Sequence, residues 1–208
     1  GANTGLFLDS DGSNLTDCEF GFFDSVGLDI DSCDNVTVDG GSAHDCVGSG
    51  AGGYYVGAIT PTADNIVINN VTVYNSNNGI VLDNCTGVIV QNSTIRNNTF
   101  NGLYVPLNAT ATVRYNIIRN NNDIGVHVRK TGVIGCTVSL NYNLIYTNTN
   151  EGVYVNEGST LTAYNNVLKG NGKGYRVDGA ATNATIKNNI TYDNTVEAYV
   201  DADVDQSL

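Results

Sequence analysis

Four planar or charged side chains recur along this chain, each two residues after a glycine. They are Tyr104, His127, Tyr154 and Arg176, separated by 23, 27 and 22 residues. If the segments that carry them are strands stacked one on another, these side chains form a column with steps of ~4.8 Å. Asp178 lies two residues after Arg176, on the same side of the strand. Aromatic faces beside hydrogen-bonding groups suit a sugar chain, so these five residues are the predicted carbohydrate-binding set, although strands also favour aromatic residues for their own packing.

The same column contains the residues that a polysaccharide-cleaving enzyme would use. Elimination needs a base, often Arg or Lys, whereas hydrolysis needs two carboxylates at a defined separation. The candidate catalytic residues are therefore His127, Arg129 and Arg176. No column of acidic residues is expected beside them, so an enzymatic role is the alternative interpretation and not the leading one.

A second candidate site consists of oxygen donors near the beginning of the chain. Asp9, Asp11 and Asn14 lie at close intervals around a glycine, and Asp29 and Asp31 are expected on the next turn. Hard cations such as Ca²⁺ prefer oxygen ligands in this kind of arrangement. The sequence lacks the glutamate of a full EF-hand loop, and a solvated acidic turn explains the same residues. Calcium is the single cofactor that the sequence suggests.

These residues must be positioned by a repeated strand, because the glycine segments return at intervals of 22 to 30 residues. Each reads as a small residue followed by apolar, any and apolar residues. The segments begin at Gly5, Gly27, Gly57, Gly79, Gly102, Gly125, Gly152 and Gly174, with a ninth at Ala198. A period of this size is typical of a solenoid, because a single turn cannot bury its own apolar face.

Each repeat contains two more short apolar segments, and the last of them is framed by asparagines five residues apart. The frames are Asn70/Asn75, Asn92/Asn97, Asn116/Asn121, Asn143/Asn148, Asn166/Asn171 and Asn189/Asn194. Three strands per turn without helical periodicity predict three parallel sheets around a coil. Asparagines at one corner can then bond to those of the next turn, which satisfies their buried amides. Residues 40–55 and 131–136 are expected to be protruding loops.

The recurring asparagine frame followed by Gly-apolar-x-apolar resembles the right-handed parallel β-helix repeat. Pectate-lyase-like enzymes, mannuronan epimerases, disaggregatase-type proteins and many prokaryotic surface proteins share this repeat. The resemblance covers about residues 5–205 and implies the fold, but it leaves the function to be argued from the site. The polygalacturonase motifs Asn-Thr-Asp, Gly-His-Gly and Arg-Ile-Lys are absent.

Composition excludes several partners. The net charge of −12 disfavours nucleic acid and anionic membranes, and no apolar run is long enough to insert into a membrane. The five cysteines form no CxxC pair, so a zinc site is not expected. Cys33 and Cys85 should lie two turns apart, too far for a disulfide, and are predicted to be buried thiols.

The sequence therefore predicts an all-β chain: one single-stranded right-handed parallel β-helix domain over residues 1–208, with about nine turns of roughly 23 residues. This domain could be a segment of a longer protein. The leading functional interpretation is a non-enzymatic, secreted or cell-surface structural module that assembles with copies of itself. The alternative is a polysaccharide-binding domain, or a lyase or hydrolase domain, that acts on acidic glycans at the cell surface.

Overall fold

The computed structural model describes residues 4–48, 52–57, 63–180 and 182–200. Within these ranges the strands form three long sheets, here called A, B and C, and one short two-stranded sheet. Sheet A contains β1 (Thr4–Leu8), β4 (Val26–Asp31), β7 (Gly52–Gly57), β11 (Asn78–Asp83), β15 (Leu103–Leu107), β18 (Val126–Val128), β21 (Glu151–Val155), β24 (Lys173–Val177) and β27 (Val196–Val200).

Sheets B and C have eight strands each. Sheet B contains β2 (Asn14–Thr16), β5 (Thr37–Asp39), β9 (Val67–Asn69), β13 (Val88–Gln91), β16 (Thr110–Arg114), β19 (Thr137–Asn141), β22 (Thr160–Tyr164) and β25 (Asn183–Lys187). Sheet C contains β3 (Glu19–Gly21), β6 (Ser42–His44), β10 (Thr72–Tyr74), β14 (Thr94–Arg96), β17 (Ile117–Arg119), β20 (Leu144–Tyr146), β23 (Val167–Lys169) and β26 (Ile190–Tyr192). The short sheet pairs β8 (Ala63–Asp64) with β12 (Cys85–Thr86).

Successive strands of each sheet are parallel and in register, so each residue lies beside its equivalent in the next turn. In sheet A, for example, Tyr104 pairs with His127, and His127 pairs with Tyr154. The predicted all-β solenoid with three parallel sheets is confirmed. Eight turns are complete, and β27 adds one strand of a ninth. No helix in the described ranges could span a membrane.

Alternation along the strands separates the core from the outer faces. Leu103 and Val105 are fully buried, whereas Tyr104 between them is half-buried on the outer face of sheet A. The glycines that begin these strands are needed for close approach between turns. A Cβ atom on Gly102 would lie 2.7 Å from the carbonyl oxygen of Gly125 in the next turn.

The predicted asparagine ladders form in the second half of the solenoid. In one ladder, Asn143 Oδ1 accepts hydrogen bonds from the backbone N–H and the side-chain amide of Asn116, each at 3.0 Å. Asn166 Oδ1 accepts the same two bonds from Asn143 in the next turn. The frames at Asn116/Asn121, Asn143/Asn148, Asn166/Asn171 and Asn189/Asn194 all take part. Stacking of equivalent positions satisfies these buried amides.

The two earliest frames were predicted one residue out of place. Ser93 and Asn98 are the ladder positions in their turn, and Ser76 in the turn before. The residues Asn70, Asn75, Asn92 and Asn97 instead occupy the preceding corner, with φ between 53° and 57°. Asparagine tolerates this left-handed conformation better than most residues. Asparagines therefore recur at this corner as well as in the ladder, and their spacing alone does not distinguish the two positions.

The third repeat of sheet A was also misplaced. Its strand centres on Tyr54 and Tyr55, since Asp29 pairs with Tyr55 and Tyr55 pairs with Val81. Gly57 ends this strand, and residues 58 and 59 lie outside the described ranges. Consequently residues 40–55 are not one loop, because they include β6 and most of β7. The loop at residues 131–136 does lack strand structure, as expected.

All five cysteines are free thiols, and all but Cys18 are buried. Ala63 pairs with Cys85, and the N–H of the adjacent Asp64 donates to Asp34 Oδ1. Ala63 therefore occupies the turn between Cys33 and Cys85. The predicted two-turn separation is confirmed, and these thiols pack as small apolar groups in the core.

Candidate functional site

The predicted column lies on the outer face of sheet A and is closely packed. The ring centroids of Tyr104 and His127 are 5.4 Å apart and their planes are tilted by 39°, whereas the rings of His127 and Tyr154 are stacked nearly parallel with centroids 4.9 Å apart. Arg176 Cζ lies 4.3 Å from the ring centroid of Tyr154. The sheet register brings together all four side chains that the sequence placed in this column.

A network of carboxylates holds the end of the column in place. Tyr154 donates its hydroxyl hydrogen to Asp178 Oδ1 at 2.8 Å, and Arg176 Nε donates to Asp178 Oδ2 at 2.8 Å. The buried Glu151 accepts from Lys173 Nζ at 2.8 Å and from Arg176 Nη1 at 3.3 Å. Because these bonds are charge-assisted, they orient the rings and compensate the charge of Arg176.

His127 and Arg129 are neighbours, but their environment does not suit a base. Burial, with a smaller contribution from the nearby positive charge of Arg129, lowers the pKa of His127 to about 4. The imidazole is therefore neutral near pH 7 and weakly basic. Arg129 Nη2 lies 3.4 Å from Glu157 Oε2, while Arg176 lies two strands away and is paired with acids. The three candidate catalytic residues thus do not form an evident catalytic group.

An acidic pocket of about 600 Å³ opens on the same face, toward the first half of the solenoid. We call it the acidic pocket; it is lined by Asp29, Asp31, Tyr55, Asp83, Asn84, Leu107, Asn108, Val133 and Ile134. Its apolar wall includes Val133, which is 91% exposed at the tip of the loop 131–136. The pocket therefore combines carboxylates with an aromatic ring and an apolar rim, as ligand pockets often do.

Burial perturbs the carboxylates of the acidic pocket. It raises the pKa of Asp29 from 3.8 to about 6, with a smaller contribution from the negative charge of Asp31. Burial also raises the pKa of Asp83, although the hydrogen bond from Tyr55 acts in the opposite direction. The Tyr55 hydroxyl donates to Asp83 Oδ2 at 3.0 Å. Asp29 is therefore partly protonated at mildly acidic pH.

A smaller polar depression flanks the other side of the column. This amide cleft, about 290 Å³, is lined by Asn78, Phe100, Asn101, Tyr104, Asp123, His127 and Arg129. Asn101 Nδ2 donates to Asn78 Oδ1 at 2.9 Å, and both residues are buried. The outer face of sheet A thus consists of the acidic pocket, the aromatic column and the amide cleft, side by side.

Unsatisfied polar atoms are concentrated on this face. In the described part of the chain, eight buried side-chain nitrogen or oxygen atoms have no hydrogen-bond partner. Two are hydroxyls of core tyrosines, and the other six lie on the outer face of sheet A. These six belong to Asp29, Asp83, Asn101, His127, Arg129 and Asn156. Since buried polar groups are almost always hydrogen-bonded, this concentration is informative about function.

The residues proposed for calcium are divided between two sheets. Asp29 and Asp31 lie in the acidic pocket, and Asp9 directly follows β1, the strand that pairs with β4 in sheet A. Asp11 Oδ1 instead accepts the backbone N–H of Asp34 at 2.8 Å, and Asn14 begins a strand of sheet B. No group of three or more His, Cys, Asp or Glu side chains in the described ranges is arranged to hold a metal ion. Calcium binding remains a prediction.

Sequence reasoning missed several residues of this face, and Tyr55, Glu151 and Asn101 show why. Tyr55 was missed because the third repeat was assigned to Gly57 instead of Gly53. Glu151 and Asn101 immediately precede the repeat glycines, where the apolar pattern has not yet begun. Glu151 and Asn101 could have been found from the sequence, because the residues that precede the repeat glycines form a column of their own. In this column Glu151 pairs with Lys173.

Comparison with known proteins identifies the fold family. The family model described as "right handed beta helix region" matches residues 4–168. The crystal structure of the Dettilon tailspike protein is similar over 96% of this chain and 60% of the tailspike chain, with 12% identity and a TM-score of 0.43. No curated protein sequence matches. On the family match, which covers most of its length, this chain belongs to the right-handed β-helix family.

Proposed function

We propose that this β-helix is a carbohydrate-binding module whose binding surface is the outer face of sheet A. The observation that carries the proposal is the set of six buried polar atoms without partners on this face. A sugar chain offers hydroxyl groups that both donate and accept, so it can satisfy carboxylate, amide, imidazole and guanidinium atoms together. The rigid Tyr104–Tyr154 column supplies aromatic surface beside them.

The charge of the face favours a neutral or amine-bearing glycan over the acidic glycan considered from sequence. Arg129, Lys173 and Arg176 each have a carboxylate partner already. The acidic pocket is lined by three aspartates and by no lysine or arginine. A uronate chain along this face would therefore meet uncompensated negative charge, which costs several kcal/mol for close like charges.

This proposal takes up the alternative interpretation from the sequence, a polysaccharide-binding domain, and shares with the leading one a non-enzymatic role in the extracellular space or at the cell surface. A glycan-binding face has its ligands outside the cell, and the acidic composition suits solubility there. We expect protease added to intact cells to digest the protein. Protection until the cells are lysed would contradict this location.

The test is a glycan array followed by titration of the best ligand against wild type and Tyr104→Ala/Tyr154→Ala. We expect the double variant to weaken binding at least tenfold, or about 1.4 kcal/mol, because each ring loses its stacking contact. The matched control is Tyr115→Ala/Tyr142→Ala, which removes two tyrosines that are also stacked on each other but lie at a different corner.

Equal affinity of the double variant and wild type would refute the proposed face. Equal weakening by the control pair would also refute it, since the loss would not be specific to sheet A. Thermal unfolding of each variant identifies any loss of binding that follows from unfolding.

Hydrolysis is a second candidate, favoured by the raised pKa of Asp29 in the acidic pocket. Asp29 in β4 and Asp83 in β11 both line this pocket, and their strands are two steps apart in sheet A, or about 9.6 Å at ~4.8 Å per strand. Inverting glycosidases place their two carboxyl groups at roughly 6.5–9.5 Å, with a raised pKa on the acid. Asp29 is the candidate acid in this arrangement.

Release of reducing ends from the bound glycan tests this second candidate. Activity that falls at least about a hundredfold in Asp29→Asn and in Asp83→Asn would support it. Binding without any release of reducing ends by wild type across pH 4 to 8 would rule it out and leave the binding function standing.

A further inference from the structure

In the described part of the chain, two buried polar atoms of the amide cleft have no hydrogen-bond partner. Asn101 is 7% exposed, and its Oδ1 is unpartnered, although its Nδ2 donates to Asn78 Oδ1 at 2.9 Å. His127 Nε2 is likewise buried and unpartnered. Both side chains line the cleft. Because buried polar atoms are costly to leave unpaired, a group from outside the chain is expected to bind here.

The sequence explains why the acceptor of Asn101 is open. Asn78 and Asn101 immediately precede repeat glycines, and their amides pair across successive turns. The equivalent position in the next turn is Ile124, whose backbone carbonyl accepts the N–H of Gly102. Isoleucine has no polar side-chain atom, so the amide pair cannot continue beyond Asn101. This short ladder therefore ends at the cleft with an acceptor that has no donor.

Two turns further along the coil, side chains in the same two columns meet directly. Glu151 corresponds to Asn101, since each lies three residues before a tyrosine of the column, and Arg176 corresponds to His127. Glu151 Oε1 accepts a hydrogen bond from Arg176 Nη1 at 3.3 Å. Asparagine and histidine are shorter than glutamate and arginine, and Asn101 Oδ1 and His127 Nε2 do not bond to each other. The amide cleft is thus the gap where this contact is missing.

The two open atoms restrict the kind of group that can bridge them. Asn101 Oδ1 needs a donor, whereas the imidazole of His127, neutral near pH 7, can present its N–H at Nε2 and then needs an acceptor. An ammonium group has no acceptor, and a carboxylate has no donor. The carboxylate of Asp123 in the cleft already accepts from Asn150 Nδ2 at 2.7 Å. A neutral group that both donates and accepts, such as an amide or a hydroxyl, therefore fits best.

Size and apolar surface favour an amide over a hydroxyl. The cleft has a volume of about 290 Å³, whereas a group the size of water needs only about 30 Å³. Phe100 in the cleft lining is 48% exposed and offers apolar surface to a methyl group. Tyr104 and His127 also border the cleft, so a sugar ring stacked on the aromatic column can direct a substituent into it. An acetamido group combines an N–H, a carbonyl and a methyl in one such substituent.

We propose that the amide cleft is a subsite for the acetamido group of an N-acetylated amino sugar. This inference rests on the proposed function of the sheet A face and narrows the class of ligand. The acetamido N–H donates to Asn101 Oδ1, its carbonyl oxygen accepts from His127 Nε2, and its methyl group packs against Phe100. The group carries no charge, which agrees with the preference of this face for ligands other than acidic glycans.

Calorimetric titration of matched sugars tests the subsite. Tetramers of glucose, of glucosamine and of N-acetylglucosamine, joined by the same β linkage, differ in one substituent of each ring. Methyl galactoside and its amino and acetamido derivatives repeat the comparison in the other common ring configuration. In at least one configuration we expect wild type to bind the acetamido sugar at least about tenfold more tightly than both counterparts, because two unpaired buried atoms gain partners.

Two variants assign this preference to the cleft. His127→Phe keeps a ring between Tyr104 and Tyr154 but removes Nε2, and Phe100→Ala removes the apolar contact. Each should lower the preference for the acetamido sugar at least about threefold. The control Phe22→Ala removes another exposed phenylalanine, which lies outside the cleft, and should leave the preference unchanged. Thermal unfolding of each variant identifies any loss that follows from unfolding.

Absence of the preference in both configurations would overturn the subsite. A preference for the amino sugar would also overturn it and would indicate that an ammonium group binds to Asp123. So would a preference that survives both variants or that Phe22→Ala lowers equally. If Tyr104→Ala/Tyr154→Ala still weakens binding of the ligand from the array in any of these cases, the proposed function stands without this subsite. If that double variant has no effect, the proposed function itself fails.

Discussion

Replacing Asn143 by alanine tests the asparagine ladder that supports the fold. Asn143 is almost fully buried, and its Oδ1 accepts both the backbone N–H and the side-chain amide of Asn116. Its own amide donates to the carbonyl oxygens of Val113 and Asn141 and to Asn166 Oδ1. Alanine removes all five bonds at one corner of the coil.

The cost follows from what remains unpaired. The buried N–H of Asn116 loses the one acceptor that the ladder provides, which costs about 1–3 kcal/mol. The lost net contribution of the other hydrogen bonds adds about 1 kcal/mol or more. We therefore expect Asn143→Ala to lower the free energy of unfolding by about 3 kcal/mol, measured by guanidinium denaturation.

Asn141→Ala is the matched control, because Asn141 is only half-buried and its amide makes one side-chain bond, to Ser139 Oγ. Its cost should be no more than about 1 kcal/mol. If Asn143→Ala were as mild as Asn141→Ala, the buried hydrogen bonds of the ladder would not stabilise the coil.

Three further predictions concern the candidate site and its support. Asp29 has a raised pKa of about 6 in the folded chain, so the folded state binds its proton more tightly than the unfolded state does. The free energy of unfolding should therefore fall as the pH rises from about 4 to 6. After allowance for solvent screening, Asp29→Asn should remove about 1 kcal/mol of this fall, measured by denaturation at a series of pH values. His127 has the opposite effect, because its pKa is lowered to about 4. The free energy of unfolding should decline as the pH falls from about 6.5 to 4, and His127→Gln should abolish roughly 2 kcal/mol of that decline. An unchanged dependence of stability on pH in this variant would contradict the burial of the imidazole. Gly102→Ala should cost about 1–3 kcal/mol in thermal unfolding, since its Cβ would crowd the carbonyl of Gly125; a neutral effect would show that the turns can separate there.

The sequence was sufficient to predict the fold because a solenoid is locally encoded. Each turn repeats the same glycine and apolar positions, so the register of Tyr104, His127 and Tyr154 could be read from spacing alone. The same logic failed at the third turn, where Gly53 and Gly57 both precede apolar residues and only pairing with β4 and β11 distinguishes them.

The candidate site was predicted only in part, because its pockets depend on contacts between distant turns. The acidic pocket joins Asp29 and Asp83 to the loop that contains Val133, and no spacing rule relates that loop to the earlier strands. Burial of Glu151 and its bonds to Lys173 and Arg176 likewise depend on how the column packs. Periodicity identifies which residues share a face, but not which of their polar atoms lack partners.

A crystal structure of the protein with the tightest-binding oligosaccharide from the array tests the central claim most directly. We predict sugar rings against Tyr104, His127 and Tyr154, with polar groups of the sugar bonded to the unpartnered atoms of Asn101 and Arg129. Ligand density on sheet B or sheet C, with the outer face of sheet A empty, would contradict the proposed function.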